Sequence, residues 1–142
     1  MLDLTARFDE LRLLCKQYKP QVVAVQECQL RTDTVLICFL FLFFFFSCFF
    51  WCNKKSSPGD NGTGGVTLYI SESFLFSEIK LDIDLQAVAV RVSAKKTLTV
   101  CNVYLPPSLD VHFSDLEHLV EQLPFLFVLI GYFNAHSLFG VT

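Results

Sequence analysis

The chain lacks the marks of several common protein classes. It has no basic tail and no cluster of Lys or Arg, and its net charge is −3. A stand-alone nucleic-acid binder ordinarily shows a basic patch, so this balance argues against tight DNA binding by charge alone. A nuclease tolerates it, because bound metal supplies positive charge at the phosphate. There are six Cys but no C-x-x-C pair, which leaves a zinc site without support. No disulfide framework is visible. Cys38, Cys48 and Cys52 fall in one apolar run, where buried free thiols are expected, and a reducing compartment fits best. The first residues, MLDLTARFDE, carry acidic groups and no apolar core, so they do not read as a signal peptide. No internal repeat is present.

What the chain has in excess is apolar surface. Its 142 residues are enough for one domain with one core. Hydrophobic residues make up 53% of it, above the usual globular share of about 45–50%. The excess is local: eight of the 16 Phe lie between Phe39 and Phe50. The run Val35–Cys52, VLICFLFLFFFFSCFFWC, is just long enough to cross a bilayer as a helix, with Lys54 and Lys55 behind it. It reads as an apolar, Phe-rich helical insertion, either a transmembrane helix or a low-complexity segment without an evolved role.

Elsewhere the pattern is that of an α/β protein. Residues 2–18 form an amphipathic helix, with Leu4, Phe8, Leu11, Leu14 or Cys15, and Tyr18 at three- and four-residue steps. Pro20 ends it. Val22–Val25 is a short β-branched run, expected as a buried strand. The segment SSPGDNGTGG, residues 56–65, is a flexible loop. Its Asn61-Gly62-Thr63 triplet matches a glycosylation sequon, but such triplets are common and a loop is the simpler reading. Strands follow at Val66–Ile70, Ala87–Val92 and Leu98–Tyr104, the last two joined as an antiparallel hairpin through residues 93–96. Ser114 and Glu117 have the spacing of a capping box, opening a helix with Leu116, Leu119, Val120 and Leu123 on one face. Pro124 ends it. Phe125–Ile130 is expected as a second buried strand, running into Gly131-Tyr132-Phe133-Asn134-Ala135-His136.

Two polar clusters therefore stand just past apolar strands: Gln26-Glu27 and the GYFNAH segment. In α/β folds ligands collect at the carboxyl ends of strands, and a carboxylate there is a natural Mg²⁺ ligand. By position alone, Glu27 is as readily a surface charge as a ligand. Tyr104 reads equally as an aromatic at a strand end, Asn134 as a turn residue, and His136 as a loop histidine held by its neighbours.

The blocks VVAVQE, GGVTLYI, LQAVAVRV, LTVCNVYLPP, LEHLVEQLP and FLFVLIGYFNAH occur in an order and spacing that resembles the endonuclease/exonuclease/phosphatase domain of jockey-like non-LTR retrotransposon proteins. The resemblance covers most of residues 9–34 and 62–140. It implies a two-sheet α/β sandwich, present as residues 1–34 and 62–142, with residues 35–52 inserted and 53–61 a loop. It implies a Mg²⁺-dependent DNA endonuclease, a phosphodiester hydrolase, in which a metal neutralises the phosphate and water attacks in line. Glu27 matches the family's metal-binding Glu, followed here by Cys28 rather than Thr. Tyr104 matches a phosphate-positioning Tyr, and Asn134 a phosphate-binding Asn. His136 matches a residue that is structural in that branch. DNA is the implied partner, in the nucleus or cytoplasm.

Four departures from the family pattern point to an inactive fragment. Tyr132 stands where the family has a catalytic Asp, and a phenol holds its proton at neutral pH. Loss of a general acid/base group costs on the order of 10²–10⁴-fold in rate. The family's closing Asp-His pair and its early Asn block have no counterpart in these 142 residues. The Phe-rich run takes the place of a polar loop and strand. Half a sandwich would also expose an inner face, which invites aggregation or a partner. Two other classes compete with this reading: a small non-catalytic membrane-anchored protein held by Val35–Cys52, and a DNA-binding module without cleavage, which the acidic balance disfavours.

Overall fold

The computed structural model describes residues 8–26, 48–52, 65–105 and 110–133. Two β-sheets are packed face to face, with a helix against the outside of one of them. The order is α1 (Phe8–Tyr18), β1 (Val22–Gln26), β2 (Cys48–Cys52), β3 (Val66–Ile70), β4 (Leu75–Ile79), β5 (Gln86–Ser93), β6 (Thr97–Tyr104), α2 (Phe113–Glu121) and β7 (Phe127–Tyr132). The first sheet has strand order β1-β3-β2, all antiparallel. The second has order β4-β5-β6-β7, antiparallel except for the parallel pair β6 and β7.

The core follows from side-chain alternation along the strands. Val66, Leu68 and Ile70 of β3 point at Val88, Val90 and Val92 of β5 and at Val100 and Tyr104 of β6. Val22 and Ala24 of β1 pack on the same cluster, which places Gln26 on the face that meets the second sheet. The opposite face of the second sheet carries Ala87, Ala89, Cys101 and Val103, covered by Leu119 and Leu123 of α2 and its C-terminal turn. Gln122 ties this helix to the loop after β4, accepting from the Asp82 amide at 2.7 Å and donating to the Asp82 carbonyl at 3.1 Å.

Several expectations are met closely. The strand expected at Val22–Val25 runs to Gln26, half-buried rather than buried because β1 is an edge of its sheet, and the hairpin through residues 93–96 is antiparallel with Ser93 opposite Thr97. The stop at Lys19-Pro20 is realised by a left-handed turn: Lys19 has φ 46° and its amide donates to the Cys15 carbonyl at 2.9 Å.

Three expectations are corrected, and one strand is added. The helical insertion does not reach Cys52, because Cys48–Cys52 is a strand paired antiparallel with β3. Phe and Trp favour strands, and the second edge of the buried β3 requires a partner for its amides and carbonyls. Residues 35–47 lie outside the described residues and are fewer than the roughly 20 a bilayer-crossing helix needs. Among the described residues no helix is long and apolar enough to cross a membrane. Second, α2 begins earlier than the Ser114 cap implies. His112 is its N-cap, and the Asp115 carboxylate accepts from the His112 amide at 3.0 Å. Third, β7 is not buried: Val128 is 43% and Ile130 38% exposed, because among the described residues it is the edge strand of its sheet. The added strand is β4, for which the sequence carried no expectation. Its residues LFSEI are mostly exposed and lack a clean alternation.

Candidate functional site

The topology brings strand ends from both sheets together. The carboxyl ends of β1, β6 and β7 coincide with the amino ends of β3 and β5. The register shows it: Gln26 is opposite Val66, Gln86 is opposite Tyr104, and Tyr104 is opposite Tyr132. Gln26 and Tyr132, the described members of the two polar clusters, thus stand at the same end of the sandwich.

At this end the buried polar groups are bonded to one another. Asn102 has no exposed surface. Its Nδ2 donates to the carbonyls of Val25 (3.1 Å) and Thr67 (2.8 Å), and its Oδ1 accepts from Gln26 Nε2 at 2.6 Å. Nearby, the Oε1 of buried Gln86 accepts from the Gly65 amide at 2.6 Å. Gly65 has φ 115°, a conformation that side-chain-bearing residues rarely adopt, and this turns the chain into β3. Buried amides of this kind are costly unless bonded, and the bonds hold the two sheets in register at the candidate site.

Tyr104 closes the inner face of β6 and is buried, while Tyr132 on β7 is half exposed. Their rings stack with centroids 6.4 Å apart and an interplanar angle of 21°. The two residues that the resemblance singles out in these strands are therefore adjacent. Glu27 and Asn134, assigned by the same resemblance to the metal and to phosphate, lie outside the described residues, as do His136 and the sequon. Glu27 directly follows Gln26, and Asn134 stands two positions after Tyr132.

The described residues do not by themselves fit a Mg²⁺ centre. The two strand ends facing each other carry a pair of phenols rather than carboxylates, and Mg²⁺ seeks charged oxygen donors. Among the described residues no group of three or more His, Cys, Asp or Glu could hold a metal ion. The two described free thiols are structural. Burial pushes Cys101 up to about 12 and raises Cys15 from its ordinary value, so neither offers a thiolate at neutral pH.

Sequence reasoning missed Asn102, Gln86 and the bonding role of Gln26. A signal existed for Asn102: it is a polar residue at an inward position of the apolar strand LTVCNVY.

The sandwich compares with solved structures of nucleic-acid and phosphate-ester enzymes. It superposes on the endonuclease domain of TRAS1, a telomere-specific non-LTR retrotransposon, with TM-score 0.57 and 14% identity, covering 91% of this chain and 53% of that one. It superposes on ANGEL2, a 2′,3′-cyclic phosphatase, with TM-score 0.60 and 17% identity, covering 91% of this chain and 43% of that one. The chain has the endonuclease/exonuclease/phosphatase fold. It spans about half the length of these two structures. No protein-family model matches the chain, and comparison with curated proteins finds no match.

Proposed function

We propose that this chain is a degenerate half of a retrotransposon-type endonuclease domain, built on a Mg²⁺-dependent, DNA-cleaving ancestor and itself unable to cleave. The observation that carries the reading is the Tyr104–Tyr132 stack at the candidate site. Two strand ends meet where a hydrolase of this kind needs oxygen anions, and one of them presents a phenol in place of the family's Asp. Tyr104 keeps the position of a phosphate-positioning hydroxyl. Glu27 and Asn134 complete the ancestral set in this reading, as metal ligand and phosphate ligand.

A plasmid-nicking assay with Mg²⁺ tests the proposal on the purified chain, with Glu27→Ala as control and Tyr132→Asp alongside. The expected result is no nicking above background by the chain or the control. Nicking that disappears in Glu27→Ala would overturn the inactive reading. Nicking gained by Tyr132→Asp would locate the loss in one residue, whereas its absence would show that position 132 alone does not account for the loss.

A further inference from the structure

Asn102 does something that a space-filling core residue cannot. It projects from β6 of the second sheet, yet all three of its hydrogen bonds go to the first. Two go to backbone carbonyls, Val25 on β1 and Thr67 on β3, and one comes from the Gln26 side chain. A carboxamide suits this place because it offers two donors and an acceptor on one neutral, planar head. Asp would lack the donors, and Leu would lack both. Leu would nonetheless fill much of the same volume, in a face whose neighbours Val88, Val90 and Val100 are apolar. Packing alone therefore does not call for Asn here. The bonds also have a direction, since Val25 and Gln26 are the last residues of β1 before Glu27. Asn102 sits two positions before Tyr104 on the same face of β6, so one side chain sets the spacing between the end of β1 and the tyrosine.

We propose that Asn102 is a positioning residue for the carboxyl end of β1: by gripping Val25 and Gln26 it fixes where that strand end stands relative to Tyr104. The significance of this strand end rests on the endonuclease-type reading above, but the grip itself does not. The grip also explains why Gln26, on the edge strand β1, turns its amide inward instead of into solvent.

Hydrogen exchange followed by mass spectrometry on the whole chain tests the grip without reference to activity. The variants are Asn102→Leu and Gln26→Leu. The readout is a peptide spanning residues 22–27 against a reference peptide spanning residues 87–92 of β5. In Asn102→Leu, exchange in 22–27 is expected to rise about tenfold, with the reference changed less than about twofold, as the loss of site-specific hydrogen bonds implies. In Gln26→Leu, which keeps both backbone bonds of Asn102, the rise is smaller and again confined to 22–27. A second readout is the Gln26 side-chain amide in a ¹⁵N spectrum, shifted from the free-amide position in the native chain and returned to it in Asn102→Leu. Equal acceleration of both peptides would reduce Asn102 to a general contributor to stability and overturn the proposal. So would an unchanged 22–27 peptide. If Asn102→Leu does not fold, Gln26→Leu decides by the same two criteria. A failed nicking experiment leaves this result untouched, so the two readings fail separately.

Discussion

Tyr104 and Tyr132 face each other across the parallel pair β6–β7, ring over ring at 6.4 Å. The inner ring is buried and the outer one half exposed, so Tyr132 shields an aromatic that would otherwise meet solvent. Stacked aromatic pairs contribute about 0.5–1.5 kcal/mol beyond the area they bury. Tyr132→Asp should therefore lower the unfolding free energy by about 1 kcal/mol, while Tyr132→Phe should leave it nearly unchanged. Urea denaturation followed by circular dichroism checks both. Equal stability of the Asp variant and the native chain would show that the stack contributes nothing in solution.

Gly131 is set by the close approach of β7 to β6. A Cβ placed there would lie 2.4 Å from the Val103 carbonyl oxygen and 2.8 Å from Val103 Cγ1. Backbone cannot yield as a side-chain tip does, so β7 must shift outward. Gly131→Ala is expected to cost about 1–3 kcal/mol, as overpacked cores do. The measurement is thermal unfolding, and an unchanged midpoint would contradict the strand spacing.

Cys101 gives a pH dependence whose sign can be worked out. Its ordinary value is 9.0 and burial raises it to about 12. Above pH 9 the unfolded chain releases this proton while the folded chain retains it. Stability is thus fully present below pH 9 and falls as pH rises from 9 toward 12, by at most about 1.4 kcal/mol per unit. Denaturant titrations at pH 8 and pH 10.5 should show the fall, and Cys101→Val should remove this group's share of it.

The edge strand β7 predicts self-association. Between Leu123 and Phe133 the sequence holds no charged residue, and Phe125 is 97% exposed beside the half-exposed Val128 and Ile130. Uncharged, apolar edges are templates for further strand pairing, and a lysine on such an edge blocks it. Light scattering of the chain should show mass rising with concentration, and Ile130→Lys should suppress that rise. A monomer at all concentrations would show that this edge is covered.

The order of elements was legible wherever residues answer to local rules. Val22–Gln26, Val66–Ile70 and the β5–β6 hairpin are β-branched runs bounded by turn residues, and each formed as a strand near its expected bounds. The Phe-rich run was not legible beyond its apolarity. A continuous apolar stretch carries no period, so helix and strand are equally compatible with it, and the pairing of Cys48–Cys52 with β3 decided the matter for those five residues.

By itself the sequence determined the strand-and-helix alternation, the apolar faces and the two polar clusters past the ends of β1 and β7, because side-chain periodicity and turn chemistry are local. It also carried the order of blocks that pointed to the fold. Only the tertiary structure decided that the ends of β1 and β7 share one end of the sandwich, that Tyr132 stacks on Tyr104, and that Asn102 reaches across to Val25, Gln26 and Thr67. Those contacts join residues up to 77 positions apart, and their partners are chosen by how two twisted sheets meet, which no local pattern encodes.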